Sequence, residues 1–275
     1  MCRWLAYSGT PIFLSQLLFE PENSLIDQSL HARESIATTN GDGFGIGWYD
    51  AQPHAGLFRD VLPAWNDENL LALSEQIRSG LFLAHVRAST GTSTARQNCH
   101  PFRYGRWLFM HNGQIGGYTM IRRQLEMLIE PDLYRHRVGT TDSEVMFYLA
   151  LSLGLETDAE LALRRMVGHI ERLTKDAGVD TQGAAPLRIS LVLSDGERLI
   201  ALRYSSDRQS PSMYIGLGGD ALAEAGLDDA KDEQDILVLS EPLDDVGDNW
   251  RAVDDGCLLV ASRGTMTSSV FTPEP

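Results

Sequence analysis

The chain lacks the features that mark secreted and membrane proteins. It has only three cysteines in 275 residues, and an odd, widely spaced set does not make the framework of a disulfide-stabilised fold. No apolar run is long enough to span a membrane, and the first residues lack the basic start and long apolar run of a signal peptide. The sequence therefore predicts a cytoplasmic protein with reduced thiols and no membrane partner.

Positive charge is also scarce. The chain carries 23 Lys and Arg against 38 Asp and Glu, a net charge of -15, and has no basic run. Such a surface repels a phosphate backbone, which disfavours nucleic-acid binding. Acidic residues are densest over 219–235, where a calcium or partner site competes with a solvated surface excursion. Because the spacing does not match an EF-hand loop, we expect a surface excursion.

The predicted elements run in the order strands, helices, strands, and no linker divides the chain. We therefore expect one domain over residues 1–275, of the α+β class, with sheets packed face to face and helices outside. Apolar patterning predicts a short strand at the start and further strands at 44–49, 81–86, 107–110, 187–193, 199–204, 213–217, 236–239 and 257–261. Periodicity and capping residues predict helices at 13–19, 66–77 with Asn66 as N-cap, 119–129 stopped by Pro131, 143–153 and 159–175.

Cys2 is the first residue with a specific chemical interpretation. It follows Met1, and its small side chain favours removal of that methionine. The new α-amine would titrate at about 8 and could take the proton of the thiol on the same residue, as in an amino-terminal hydrolase. The alternative is that the second residue carries no function.

Two segments follow predicted strands and offer polar groups. Arg87, at the end of the 81–86 strand, could hold a carboxylate with two parallel hydrogen bonds or form a structural ion pair. Cys99 and His100 could suggest a metal. A thiolate metal site needs about four suitably spaced ligands, and scattered His85 and His111 do not complete one, so no metal is expected.

Two further segments could contact the reacting group and its substrate. His111-Asn112-Gly113 follows the 107–110 strand, and its Asn amide and Gly N–H could form an oxyanion hole or a plain turn. Gly139 to Glu144 looks like a helix start with Thr141 or Asp142 as N-cap, although Asp142 could instead bind an ammonium group.

These parts meet one chemical requirement when they are taken together. An amide with an amino-acid head needs a nucleophile, an oxyanion hole, a cation for its carboxylate and an anion for its ammonium group. Cys2 supplies the first, Asn112 and Gly113 the second, Arg87 the third and Asp142 the fourth.

The ordered set of motifs resembles the class II glutamine amidotransferases, and most closely their short, stand-alone type 4 group. The resemblance covers nearly the whole chain and lies in these motifs: Met1-Cys2-Arg3, Asn40 to Trp48, His85-Val86-Arg87, His100-Pro101-Phe102, His111-Asn112-Gly113, Thr141-Asp142-Ser143-Glu144 and Ser240-Glu241-Pro242-Leu243 with Trp250.

The resemblance implies a fold and a set of roles. The fold would be a four-layer αββα sandwich of the N-terminal-nucleophile hydrolase type. Cys2 would attack the γ-glutamyl amide, Asn112 and Gly113 would hold the oxyanion, and Arg87 and Asp142 would bind the α-carboxylate and α-ammonium. His111 and Ser89 are further substrate-binding candidates, and Cys99 is expected to be a buried packing residue.

The alternating glycines from Gly41 to Gly47 do not indicate a nucleotide. A dinucleotide fingerprint needs a strand before it and a helix after it, whereas Phe44, Ile46 and Trp48 continue as a strand. We expect the glycines to let the chain pass close to the Cys2 pocket, and we expect no cofactor.

Three functions remain open from the sequence. Hydrolysis of a γ-glutamyl amide in a small molecule is favoured because no acceptor site is visible. The chain could instead be a glutaminase subunit that delivers ammonia to a separate synthase. A non-catalytic regulatory or binding module is the third, and the intact set Cys2, Arg87, Asn112, Gly113 and Asp142 argues against it.

Overall fold

The computed structural model describes residues 2–33, 39–89, 91, 93–179, 183–217, 234–262 and 265–274. Its strands are β1 Arg3–Phe13, β2 Phe44–Trp48, β3 Gly56–Asp60, β4 Arg78–Val86, β5 Phe102–Tyr104, β6 Trp107–Ile115, β7 Leu187–Ser194, β8 Arg198–Ser205, β9 Tyr214–Leu217, β10 Ile236–Leu239, β11 Arg251–Ala252, β12 Cys257–Ser262 and β13 Thr265–Val270. Its helices are α1 Ser15–Leu18, α2 Leu25–Leu30, α3 Glu68–Ser74, α4 Tyr118–Met127, α5 Pro131–Tyr134, α6 Asp142–Ser152 and α7 Ala159–Asp176.

The strands form two sheets in which every recorded pair is antiparallel. Over the described residues one sheet has the order β11-β9-β10-β1-β4-β2-β3, and the other has the order β13-β12-β8-β7-β6-β5. The amino-terminal strand β1 is therefore an inner strand that lies between β10 and β4. Backbone pairing on both sides fixes the position of the first residues.

Among the described residues, strand alternation divides the buried apolar side chains among three cores. In β1, Trp4 and Ala6 lie in a core between the two sheets, whereas Leu5 and Tyr7 pack in the core under α1, α2 and α3. In β6, Leu108 also faces the other sheet, and its odd-numbered neighbours pack under α4, α6 and α7. Three cores separate four layers, so the predicted α+β class and αββα sandwich are confirmed.

Strand β6 runs further than its sequence predicts. Apolar patterning ends the strand at Met110 and places His111-Asn112-Gly113 after it, but β6 continues to Ile115. The reason is tertiary, because β7 pairs with the whole segment, with Asn112 opposite Ser190 and Gly113 opposite Ile189. Strands β3, β5, β11 and β13 and helices α2 and α5 are absent from the prediction, since their short sequences carry weak patterning.

Several helix ends also differ from the prediction, among them the start of α3 and the end of α4. Asp67, not Asn66, caps α3, because Asp67 is extended and its side chain accepts a hydrogen bond from Leu70 N, while Asn66 belongs to a short 3₁₀ turn. Pro131 does not stop α4, which ends earlier, but opens α5, where a proline lacks no needed donor.

Glycines in β2 and directly before it allow a close approach of other segments. Gly43 has φ +105°, and a Cβ there would lie 2.6 Å from Cys99 Sγ. A Cβ on Gly45 would lie 2.2 Å from His100 O. The close approach recorded for these glycines is thus to Cys99 and His100, and Cys99 is fully buried, as expected of a packing residue.

Most of the acidic segment predicted over 219–235 lies outside the described residues, which resume at 234. Asp235, its last member, is 1% exposed and accepts a 2.6 Å hydrogen bond from Thr10 N. No helix in the described ranges has the length and apolar character needed to cross a membrane.

Candidate active site

The register of β1 on β4 brings Cys2 to the end of β4. Arg3 lies opposite Val86 and Trp4 opposite His85, so Cys2 comes next to Arg87. The Cys2 thiol is half-buried and lies 3.5 Å from Ala88 O, to which it donates. Burial raises the pKa of this thiol, while the backbone of Ala88 and the charges of Arg87 and Arg3 oppose the rise.

Arg87 is held in a fixed orientation beside this thiol. It is 3% exposed, and its guanidinium donates to Asp42 O and Ser89 Oγ, both at 3.2 Å. The carboxylate of Asp42 in turn accepts a 2.7 Å hydrogen bond from Ser89 N, and Arg87 N donates to Gly43 O at 2.8 Å. The loop after β4 therefore presents a planar, pre-oriented cation, which suits a carboxylate ligand.

Asn112 lies on the strand of the facing sheet. By alternation it shares the face of Leu108 and Met110, both in the core between the sheets that also holds Trp4. Asn112 is 2% exposed, and its Nδ2 has no hydrogen-bond partner among the described residues. An unpaired buried amide costs about 1–3 kcal/mol, so this donor is available for a ligand rather than used by the fold.

Gly113 is a position where only glycine fits. Its φ is +143°, and a Cβ there would lie 2.0 Å from Arg188 O and 2.7 Å from His111 Nε2. The missing side chain lets β6 and β7 pair closely at this position.

His111, Ser143 and Asp142 form a hydrogen-bonded chain between β6 and the start of α6. His111 Nδ1 lies 2.8 Å from Ser143 Oγ, which lies 3.3 Å from Asp142 Oδ1. Asp142 also accepts from Ser143 N at 2.8 Å and from Ile115 N at 2.9 Å. Thr141, rather than Asp142, is the N-cap, since its side chain accepts from the helix backbone. The Asp142 carboxylate is thereby fixed at the helix end and remains partly exposed.

Three buried imidazoles lie around these groups. The rings of His85 and His100 are 4.3 Å apart between centroids. Burial lowers the pKa of His85 to about 3, helped by the charges of Arg87 and His111 and opposed by the His111 backbone. Burial also lowers the pKa of His100 and of His111, with Asp142 opposing the change at His111. The rings are thus neutral near pH 7, and the local positive charge belongs to arginine.

The structure places five of the seven predicted site residues in two groups, and Asn112 and Gly113 follow His111 on β6. Cys2, Arg87 and Ser89 meet at the ends of β1 and β4, and His111 and Asp142 meet where β6 faces α6. In the described part of the chain, no three His, Cys, Asp or Glu side chains are arranged to hold a metal ion.

Asp42 and Ser143 are part of the site but have no role in the sequence-based prediction. Asp42 braces the loop that carries Ser89, and Ser143 joins His111 to Asp142. Both residues lie inside the motifs that carry the resemblance. Their position beside predicted site residues is the sequence feature that could have indicated their roles.

A family model described as class-II glutamine amidotransferases matches residues 19–275. The chain belongs to this family. The probable glutamine amidotransferase DUG3 of Saccharomyces cerevisiae is 33% identical over 97% of this chain and 83% of its own length. The gamma-glutamyl-hercynylcysteine sulfoxide hydrolase of Mycolicibacterium smegmatis is 27% identical over 93% of each chain. The predicted family is confirmed, and the protein is an enzyme of the glutamine amidotransferase type.

Solved structures agree with the fold. A glutamine aminotransferase class-II domain protein from Silicibacter pomeroyi has a TM-score of 0.74 and 38% identity, covering 99% of this chain and 100% of that chain. Glutamine phosphoribosylpyrophosphate amidotransferase from Bacillus subtilis has a TM-score of 0.63 at 16% identity, and the match covers 50% of that chain. At that identity the second likeness concerns the fold alone.

Proposed function

We propose that this protein hydrolyses a γ-glutamyl amide through a thioester formed on Cys2. The observation that carries the proposal is the buried Asn112 Nδ2, which has no partner among the described residues and lies on the sheet face opposite the strand that Cys2 precedes. A donor left unused by the fold, beside Gly113 and across from a half-buried thiol, suits an oxyanion hole.

The reaction begins after Met1 is removed. Because burial raises the pKa of Cys2, the thiol needs a base, and the new α-amine takes its proton. Sγ bonds to the amide carbon while Asn112 Nδ2 and the Gly113 N–H hold the oxyanion. The C–N bond then breaks, and the α-amine gives the proton to the leaving amine. Water then adds to the thioester carbon while the α-amine takes a proton from it, the C–S bond breaks, the α-amine returns that proton to Sγ, and glutamate leaves.

Recognition of the glutamyl head follows from the fixed charges. Arg87 binds the α-carboxylate through its planar fork, and Asp142 binds the α-ammonium group. Ser89 supports this role because its hydroxyl accepts from Arg87. His111 supports Asp142 through Ser143.

A γ-glutamyl small molecule is the favoured substrate class. The alignment with the Mycolicibacterium hydrolase supports it, because that match extends over 93% of both chains. Delivery of ammonia to a separate synthase would instead require L-glutamine to be the preferred substrate, with turnover raised by the partner.

The test is glutamate release from L-glutamine and from γ-glutamyl dipeptides by wild type, Cys2→Ala and Cys257→Ala. Cys257 is the matched control, because it is also half-buried but lies on β12 of the other sheet. We expect Cys2→Ala to lose all hydrolysis and Cys257→Ala to retain it. Residual turnover of Cys2→Ala above about a tenth of wild type would exclude Cys2 as the nucleophile.

A further inference from the structure

A buried ion pair involves Arg3, the residue that follows the proposed nucleophile Cys2. Arg3 Nε and Glu241 Oε2 are 2.8 Å apart, with side-chain exposures of 0% and 2%. Glu241 belongs to the Ser240-Glu241-Pro242-Leu243 motif, which follows β10 and which the proposed reaction does not use. A buried pair of this kind adds little net stability, because desolvation offsets most of the attraction. Its position therefore needs another explanation.

The carboxylate of Glu241 is anchored without help from Arg3. Both its oxygens accept from Arg33 N at 3.1 Å, and Oε1 accepts from Asn23 Nδ2 at 3.3 Å. Gln28 Nε2 donates to the backbone carbonyls of Asn23 at 2.9 Å and Glu241 at 3.2 Å. The segment around α2 thus holds Glu241 as a fixed point.

Arg3 connects Glu241 to the main chain of Cys2. While its Nε contacts Glu241, its Nη1 donates a 3.0 Å hydrogen bond to Cys2 O. The neighbouring residues of the ion pair are also hydrogen-bonded to each other. Trp4 N donates to Ser240 Oγ at 2.9 Å, and Ser240 N donates to Trp4 O at 3.0 Å. Cys2 precedes the first strand, and chain ends fray unless they are tied down.

We propose that Glu241, acting through Arg3, is a positioning residue that fixes the main chain of Cys2 in its reactive orientation. This inference rests on the proposed function of Cys2. Neither side chain contacts the glutamyl head in the proposed mechanism, so their loss lowers kcat more than it raises KM. A displacement of about 1 Å at a reacting atom can cost about a hundredfold in rate.

The variant must remove the positioning without burying a lone charge. Glu241→Gln alone leaves Arg3 buried and unpaired, which destabilises strongly. The double variant Arg3→Met with Glu241→Gln removes both charges together. The amide oxygen at 241 can still accept from Arg33 N and Asn23, so we expect this variant to fold with a Tm close to wild type.

The control removes a pair of the same two charges at the other end of the sandwich, where the arginine side chain is 44% exposed. Asp195 and Arg198 form an ion pair of 2.9 Å in the turn between β7 and β8. Asp195→Asn with Arg198→Met also removes one charge of each sign and keeps the oxygen that accepts from Glu197 N and residue 198 N. We expect its kcat and KM to equal those of wild type.

The readout is kcat per active site, with sites counted by covalent titration with 6-diazo-5-oxo-norleucine and Met1 removal checked by intact mass. We expect the Arg3→Met/Glu241→Gln variant to lose about tenfold or more in kcat per titrated site, with KM within about threefold of wild type. A merely structural pair would reduce the number of titrated sites but leave kcat per site unchanged, and that result would overturn the proposal.

Hydrogen–deuterium exchange separates this inference from the proposed function. If wild type neither hydrolyses γ-glutamyl amides nor reacts with the diazo compound, the proposed function fails. In that case, faster exchange of the peptide spanning residues 2–8 in the Arg3→Met/Glu241→Gln variant, but not in the control, still supports the anchoring of Cys2. Unchanged exchange overturns it.

Discussion

The side chains of the site differ in how many hydrogen bonds they make to the rest of the protein. Asn112 Nδ2 has no partner among the described residues, whereas Arg87 and Asp142 each hold neighbouring segments through several hydrogen bonds. Substitutions at these positions should therefore separate catalysis from stability to different degrees.

Asn112→Ala should lower kcat with little effect on Tm. Loss of one oxyanion donor costs about 10²–10³ in kcat, and no hydrogen bond of the described fold is lost from Nδ2. The contrast is Asn98→Ala, because Asn98 donates to Ser93 O at 3.0 Å and accepts from Thr140 N at 2.9 Å. Steady-state kinetics and thermal melts of both variants check this. An Asn112→Ala enzyme of wild-type kcat would contradict it.

Arg87→Lys should mainly raise KM, by about tenfold, because lysine lacks the planar fork that matches a carboxylate. Arg78→Lys is the control, since Arg78 begins β4 at the end away from Arg87. The kinetics of a γ-glutamyl dipeptide measure the effect. Equal KM values for the two variants would remove Arg87 from recognition of the α-carboxylate.

At the scale of elements, α6 links helix capping to the site. Thr141 caps α6, and Asp142 is the first residue of this helix. Asp158 caps α7 in the same way, by accepting a hydrogen bond from Leu161 N. Thr141→Ala and Asp158→Ala should each lower the free energy of unfolding by about 1 kcal/mol. Only Thr141→Ala should also raise KM, because Asp142 follows it. Denaturant melts and kinetics test this, and a raised KM in Asp158→Ala would point to a global effect instead.

The sequence predicted the long helices and inner strands well because their apolar periodicity matches the buried faces. The prediction for α7 differs from the structure by one residue. The predicted end of β6 is wrong, because Asn112 and Gly113 are residue types that suggest a turn but belong to the strand. Pairing with β7 overrides that local preference, and no local pattern reports which strand will lie alongside.

The whole molecule keeps three buried imidazoles neutral, which affects its acid stability. Since the pKa of His85 falls from 6.5 to about 3 on burial, the unfolded chain binds a proton there that the folded chain does not. The free energy of unfolding therefore falls as the pH drops below 6.5, by about 2 kcal/mol at pH 5 for this residue alone.

Denaturant unfolding at pH 7 and pH 5 measures this effect. His85→Asn should lose about 2 kcal/mol less than wild type on acidification, whatever its stability at pH 7. His31→Asn is the control, because His31 is exposed, and should behave as wild type. If all three proteins lose the same amount, His85 is not the source of the acid sensitivity.

The layered architecture follows from the order of elements, because strands on either side of a helical segment favour two sheets with helices outside. Which residues face each other across the sheets does not follow from that order. The Arg3–Glu241 pair joins residues 238 apart in sequence, and only the pairing of β1 with β10 brings them together.

The most direct measurement is the intact mass of the protein after incubation with 6-diazo-5-oxo-norleucine, followed by peptide mapping. We expect loss of Met1 and a single adduct on Cys2, with Cys99 and Cys257 unmodified. A protein that retains Met1 and gains no adduct would contradict the assignment of Cys2 as an N-terminal nucleophile.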